Sequence, residues 1–345
     1  MGTQISLTGQ LAEFVVDTQA VALPSSVIDA AKYYTLDCLG SALEGTVTEP
    51  GRIFLDHARS QPAGPATVVG LSAQRGGQAA TLANAALSHI AEMDDLHRAS
   101  VVHPGAVVMP AALAVAESQG ASGLDFLTAV VVGYEVALRI GEAVGKSHYR
   151  LWHSTATCGV FGSAAAAGWL YGLPVEQMVW ALGTAGTMAA GLWEFNADGA
   201  MSKPLHAGHA ASSGLLAADL ARRGLSGTRC ILEGERGFFA AMSRDADPQR
   251  VIAGLSSSMA DYKISGVSIK PHASCRHTHP AVDAALRIRD RIGPSEGQIV
   301  RVDVETYGAA LALTDNPAPV HPHAAKFSMQ YCVASALLRG SVGLS

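Results

Sequence analysis

The sequence predicts a mainly α protein, with a large all-helical domain followed by a smaller α+β domain. Hydrophobic residues make up 49% of the 345 residues but aromatic residues only 6%, so the apolar content is mostly Ala, Leu and Val. Small residues at this density let helices pack closely. Apolar residues recur at helical spacing over the first two thirds of the chain, and the alternation typical of half-buried strands begins only after about Asp261.

The N-terminal helices are delimited by Pro, Gly and Ser. Pro24, followed by two serines, predicts a helix start, and Arg222-Arg223-Gly224 predicts a helix end. Residues 66–71 form a short β-like connector. The apolar segments are too short to cross a bilayer, so we expect no membrane partner. The predicted helices cover residues 3–20, 25–43, 52–59, 78–90, 110–119, 123–144, 160–173, 177–192 and 205–223.

The chain changes character near residue 262. Residues 266–270 and 298–307 alternate like strands, and residues 281–292 between them are helical, which indicates a separate α+β domain. A further helix begins at residue 326. A sheet of two strands is small for independent stability, so we expect the rest of this domain to lie outside the sequence.

The net charge limits the class of ligand that we expect, and the cysteine content indicates the cellular compartment. The net charge is −5 and no basic run occurs, which argues against nucleic acid. An anionic ligand would therefore have to be attracted by a local positive cluster. Five scattered cysteines without a CxxC pair, and an N-terminus without a signal peptide, predict a reduced, cytoplasmic protein. The apolar surplus also suggests a homo-oligomer interface.

The densest polar stretch runs from Glu92 to Gly105. It contains the adjacent carboxylates Asp94 and Asp95 and the histidines His97 and His103, between long Ala-rich segments. Burying such groups without partners costs several kcal/mol each, so they are paired, solvated in a cleft or facing a polar ligand. A carboxylate beside a histidine is typical of general acid–base chemistry, although a solvated helix end would explain any one of them.

Two further positions suit an anion. His153 precedes a helical segment and could help to hold an anion at the helix N-terminus, although a lone histidine is more often structural. Gly159 and Gly162 within that segment predict close helix packing. Ser202 and Lys203 open the next helix, where a lysine can meet a carboxylate.

A second cluster lies between residues 268 and 280. It contains Lys270, Cys275, His277 and His279 within a short stretch. These residues could form a metal site, but cationic side chains that face a polycarboxylate explain the same residues without a metal.

In their order and spacing, these stretches together resemble the MmgE/PrpD family, which includes 2-methylcitrate dehydratase, cis-aconitate decarboxylase and iminodisuccinate epimerase. The resemblance implies an all-helical domain over residues 1–262 and an α+β lid over residues 263–345 that is incomplete at its C-terminus. It also implies a homodimer, no cofactor and an active site between the domains. The matching stretches are Leu36 to Gly40, Met93 to Asp95, His103 to Gly105, His153 with Gly159 and Gly162, Lys203 with His206 to Gly208, Leu232 to Gly234 with Gly237 and Phe238, Lys270 to His279 with Asp283, and Phe327 to Tyr331.

The resemblance also assigns roles on a small di- or tricarboxylate substrate. His103, oriented by Asp94 or Asp95, is the expected base and His153 the expected acid, and these two roles can be exchanged. Lys203 and Lys270 are expected to hold carboxylates together with His277 and to stabilise an enediolate. The remaining expected substrate-binding residues are Asp95, His97, Ser202, Cys275 and His279.

Three departures from the decarboxylase pattern favour a 2-methylcitrate dehydratase-like hydro-lyase. Leu96 and His97 follow the acidic pair where the decarboxylase has a threonine, Cys275 replaces a histidine, and Leu313 or Thr314 lies where a tyrosine is expected. A cis-aconitate decarboxylase or iminodisuccinate epimerase would use the same residues and is the main alternative. A carboxylate-binding scaffold and a metal-dependent hydrolase are the other hypotheses.

Overall fold

The computed structural model describes residues 5–256, 261–293 and 299–344, and the predicted mainly α fold is confirmed. Short 3-10 turns occur at Ala20–Ala22, Pro248–Val251, Lys263–Gly266 and Arg276–Thr278, and the strands are β1 (Leu96–His97) and β2 (Val267–Ser268). The helices are α1 (Leu7–Asp17), α2 (Ser25–Thr46), α3 (Glu49–Arg59), α4 (Gly77–Ile90), α5 (Pro104–Gln119), α6 (Gly123–Ala143), α7 (Lys146–Tyr149), α8 (Ser154–Leu170), α9 (Val175–Thr187), α10 (Phe195–Asp198), α11 (Lys203–Arg222), α12 (Phe238–Met242), α13 (His279–Ile292), α14 (Gly308–Thr314), α15 (Pro322–Lys326) and α16 (Met329–Arg339).

The chain forms two compact units. The first contains Met1–Ile90, Asp94–Trp193 and Ser202–Ile269, and the second contains Ala91–Met93, Glu194–Met201 and Lys270–Ser345. Two segments of the second unit therefore come from the part of the chain that the sequence assigns to the helical domain.

Helix α8 lies at the centre of the first unit and packs against α5, α6 and α11. Every residue from Ser154 to Gly168 is buried, which requires small side chains on all faces of the helix. A Cβ atom on Gly162 would lie 2.6 Å from the carbonyl oxygen of Gly133 on α6, and one on Gly159 would lie 2.5 Å from Val107. The packing role predicted for Gly159 and Gly162 is confirmed.

Two helices begin six residues earlier than the sequence predicts. Helix α5 begins at Pro104, because a proline costs nothing in the first turn, and Pro110 lies inside it. Thr81 donates a hydrogen bond to the Pro110 carbonyl at 3.4 Å. Helix α8 begins at Ser154, directly after His153, instead of at residue 160.

The only sheet among the described residues pairs β1 with β2 in antiparallel register, with Leu96 opposite Ser268 and His97 opposite Val267. The strand predicted at residues 266–270 is thus shortened to Val267–Ser268. The strand predicted at 298–307 is wrong over residues 299–307, which carry no strand; Gln298 lies outside the described residues. A strand needs a partner for its backbone groups. Val300 in this segment is 99% exposed.

The second unit has its own small core, in which α13 packs against α16. Val282 and Ala285 meet Val333, Ala336 and Leu337 there. No helix among the described residues combines the length and the hydropathy that crossing a membrane would require. The five cysteines are all free thiols.

Candidate active site

A buried carboxylate lies between two histidines in the first unit. His89 in the last turn of α4 places its Nδ1 atom 2.6 Å from Oδ2 of Asp94. His103 immediately precedes α5, and its Nδ1 atom lies 3.2 Å from the same oxygen. His89 and Asp94 are fully buried, and the His103 side chain is 11% exposed. The structure therefore brings together Asp94 and His103, as predicted, and adds His89.

Asp94 is charged at neutral pH despite its burial. Burial raises the pKa of this carboxyl, but His89 and His103 more than offset burial, so that its pKa is well below the usual range. Oδ1 of Asp94 and Nε2 of His89 are buried and have no hydrogen-bond partner among the described residues. Buried polar atoms in native proteins are nearly always hydrogen-bonded. These two atoms are therefore candidates for contact with a bound molecule.

His153 extends this cluster from the N-terminus of α8. Its ring lies 5.3 Å from that of His89 and 4.8 Å from that of Trp193, measured between centroids. Its backbone N–H donates to the carbonyl of Gly191, which fixes the start of α8. Burial lowers the pKa of His153 well below its usual value, and neighbouring His89 and Lys203 lower it further. His153 is therefore neutral at neutral pH.

Lys203 supplies the positive charge of this cluster. It is the first residue of α11 and is only 3% exposed. Burial is the main cause of the lowered pKa values of His153 and His206, and the charge of Lys203 lowers both further. Ser202, the half-buried residue before it, makes no side-chain capping bond to α11. Asp94, His103, His153 and Lys203 thus share one region, as the sequence predicts.

Asp95 and His97 make hydrogen bonds and ion-pair contacts within the protein, next to this cluster in the sequence. Asp95 accepts hydrogen bonds from the backbone N–H of Gly105 at 2.9 Å and from the Tyr134 hydroxyl at 2.6 Å, which anchors the start of α5. The Nδ1 atom of His97 lies 2.9 Å from Oγ of Ser100, and its Nε2 lies 3.7 Å from Glu142. Their predicted role in substrate binding stays a prediction.

Within the second unit, Lys270 pairs with Glu92. The Lys270 Nζ atom lies 3.3 Å from Oε2 of Glu92, and both side chains are almost completely buried. His277 places Nδ1 2.7 Å from the hydroxyl of Tyr307. Burial lowers the pKa of His277, and the nearby charge of Lys270 lowers it further. Lys270 is thus paired with a carboxylate of the protein itself, and the predicted contact of Lys270 and His277 with a substrate carboxylate stays a prediction.

His279 and Cys275 are buried in the second unit. Nε2 of His279 lies 3.2 Å from the carbonyl oxygen of Ser274, and its ring packs against that of His272. The backbone N–H of Cys275 donates to the Lys326 carbonyl at 2.8 Å. Their predicted contact with substrate stays a prediction.

His89, Asp94 and His103 are also of the types that bind metal ions, and their ligand atoms lie within 4.8 Å of one another. Two ligand atoms that bind one tetrahedral zinc ion at about 2.05 Å lie roughly 3.3 Å apart. The 2.6 Å separation between His89 and Asp94 is shorter and is that of a charge-assisted hydrogen bond. We interpret the cluster as a proton-sharing network.

Three residues that take part in these side-chain clusters were not predicted as site residues. His89 stands in an Ala-rich helix, and His206 lies three residues after Lys203. Glu92 begins the polar stretch, but the sequence alone predicts no function for its side chain. A histidine within an otherwise small and apolar helix was the one signal that could have indicated His89.

Two family models match this chain. The MmgE/PrpD N-terminal domain matches residues 9–251, and the MmgE/PrpD C-terminal domain matches residues 272–345. The chain belongs to the MmgE/PrpD family. The predicted family is therefore confirmed.

Curated relatives within the MmgE/PrpD family include fungal and mammalian proteins. The cis-aconitate decarboxylase-like protein oryM of Aspergillus oryzae is 30% identical over 82% of this chain and 62% of its own length. The cis-aconitate decarboxylase of Aspergillus terreus is 32% identical over 83% of this chain and 60% of its own length. The cis-aconitate decarboxylase of Homo sapiens is 30% identical over 98% of this chain and 71% of its own length. The chain thus spans about 60% of the length of the fungal relatives.

Proposed function

We propose that this chain acts as a cofactor-independent decarboxylase on cis-aconitate or a closely related small polycarboxylate. The observation that supports this most is the buried Asp94 carboxylate between His89 and His103, which favours an imidazolium that can deliver a proton. The names of the relatives support the choice of decarboxylation over dehydration.

The reaction needs an acid and a site for negative charge. Cleavage of the bond between carbon and the departing carboxylate leaves its electron pair on the carbon skeleton, where a remaining unsaturated carboxylate delocalises it as an enediolate. A proton from an acid then forms the new C–H bond, so that one CO₂ is released and one proton is consumed. Asp94 stabilises the imidazolium form of His103 at 3.2 Å, which suits His103 to deliver this proton.

Lys203 and His153 would bind the carboxylates of this substrate in the first unit. A buried ammonium group offsets the negative charge of the substrate and of the enediolate. His153 is neutral and can donate a hydrogen bond without adding charge. We further propose that Lys270 and His277 bind a carboxylate, as the resemblance implies.

A hydro-lyase acting on 2-methylcitrate is the second candidate. It is favoured by Leu96 and Cys275, which stand where the decarboxylase pattern has a threonine and a histidine. The same residues would then protonate a departing hydroxyl group instead of a carbon atom.

The test is an NMR time course of the full chain with cis-aconitate, 2-methylcitrate and iminodisuccinate, in which CO₂ and alkene signals are followed together. We expect CO₂ release from cis-aconitate and its loss in His103→Ala. The matched control is His57→Ala, which removes an exposed histidine of α3. Dehydration of 2-methylcitrate without CO₂ would replace the proposal by the second candidate, and turnover that survives His103→Ala would contradict both. Light scattering of the full chain tests the homodimer that the family resemblance implies.

A further inference from the structure

His206 contacts His153 through an unusual pair of atoms. The Nδ1 atom of His206 lies 3.4 Å from the Nδ1 atom of His153, and the ring centroids are 5.5 Å apart. His206 lies in the first turn of α11 and is half-buried, whereas His153 is only 2% exposed. A hydrogen bond between two ring nitrogens requires a proton on one of them and a lone pair on the other.

This contact couples the proton positions of the two histidines. His89, His103 and Lys203 face His153, and His89, Lys203 and His209 face His206. Burial, followed by these neighbours, lowers the pKa of His206 to about 4 and that of His153 well below its usual value. Both rings are therefore neutral at pH 7, and each carries one proton. When one Nδ1 atom carries its proton, the other ring must carry its proton on Nε2.

The Nε2 atom of His153 determines which of the two proton arrangements can bind a substrate carboxylate. It has no hydrogen-bond partner among the described residues, so it is the nitrogen available to a bound molecule. A carboxylate only accepts hydrogen bonds, so a neutral histidine that binds one must offer Nε2–H.

We propose that His206 is a positioning residue that donates its Nδ1–H to Nδ1 of His153 and so fixes His153 as the Nε2–H tautomer. His153 then presents a hydrogen-bond donor to a substrate carboxylate. The coupling of the two rings rests on their geometry and on both rings being neutral, and the choice of this tautomer rests on the proposed function. A partner that sets the tautomer of a functional histidine is a recurring device in proteins.

The test measures the tautomer directly by ¹⁵N NMR of chain labelled at histidine, at pH 7 and without substrate. In the wild type we expect the His153 signals of a protonated Nε2 and an unprotonated Nδ1. His206→Phe keeps a planar ring but removes the donor, so both tautomers should appear. His206→Asn places an amide N–H near the position of Nδ1 and should restore the wild-type signals. His57→Phe is the matched control.

Turnover gives a second readout. Because only the fraction of His153 that keeps Nε2–H can bind the carboxylate, an even mixture of tautomers in His206→Phe should raise KM by about twofold, with a smaller change in kcat, and His206→Asn should restore the wild-type KM. A wild-type His153 protonated on Nδ1, or an unchanged tautomer in His206→Phe, would overturn the proposal. The wild-type spectrum alone decides the tautomer if a variant does not fold. If no substrate in the panel is turned over, the proposed function fails but the spectra still test the pairing.

Discussion

Replacing Asp94 by Asn tests the proton-sharing network most directly. The amide keeps the shape of the side chain but removes the negative charge that faces His89 and His103. At an effective dielectric constant of about 20, two unit charges at the 3.2 Å between Asp94 and His103 attract by about 5 kcal/mol. Part of this is recovered by the amide dipole and by water, so we expect a loss of about 3–4 kcal/mol in transition-state stabilisation. This loss corresponds to a decrease of roughly 10²–10³-fold in kcat.

The assay is the initial rate of CO₂ release from cis-aconitate at several substrate concentrations, with circular dichroism as the check on folding. KM should change little, because Asp94 acts on the imidazolium and Lys203 on the substrate carboxylate. The matched control is Asp17→Asn, which removes an exposed carboxylate at the end of α1. A folded Asp94→Asn chain whose kcat lies within about threefold of the wild type would refute the assignment of His103 as a charged acid.

Four further variants test stability, each by urea unfolding. Burial lowers the pKa of His148 to about 4. As the pH falls, His148 is protonated in the unfolded chain before it is protonated in the folded chain, so the free energy of unfolding decreases from about pH 6.5 towards pH 4. His148→Gln should remove about 3 kcal/mol of this pH dependence. Gly162→Ala should destabilise by about 1–3 kcal/mol, because its Cβ has no room against α6. Gly40→Ala, where a Cβ atom on α2 meets nothing within 4 Å, should instead stabilise by up to about 1 kcal/mol, and the same sign for both glycines would contradict the packing argument. Val101 has a positive φ of 52°, which is strained for a β-branched residue, so Val101→Asn should stabilise by about 1 kcal/mol; a loss of stability there would show that its packing outweighs the strain.

The helices of the first unit were largely predictable, because their apolar spacing and their Pro and Gly boundaries are local features. Helix α2 begins at Ser25, as predicted from Pro24, and α6 begins at Gly123. Over residues 299–307 the predicted strand is wrong for the opposite reason. Alternation describes a chain that could pair, but the partner of a strand is a tertiary fact, and β2 pairs with Leu96 and His97.

The sequence predicts most of the residues of the candidate site but not which side chains pair with one another. Asp94 and His103 stand out because charged residues are scarce in this chain. The pairing of Asp94 with His89 depends on how the turn after α4 folds back, and no spacing rule gives it. His97 was equally prominent in sequence, yet its ring lies beside Glu142, which is 45 positions away and on α6.

The burial of α8 on every side has a consequence for how such a protein can evolve. A helix with no face directed to solvent accepts almost no enlargement, so its first residues, including Ser154 and Thr155, are held in place by the whole interior. Under the proposed function, new substrate preferences would therefore arise from changes in the segments that precede α8 and α11 in the sequence, next to His153 and Lys203 along the chain. A saturation library would show this as a sharp contrast between an intolerant α8 and permissive positions between Gly191 and Ser202.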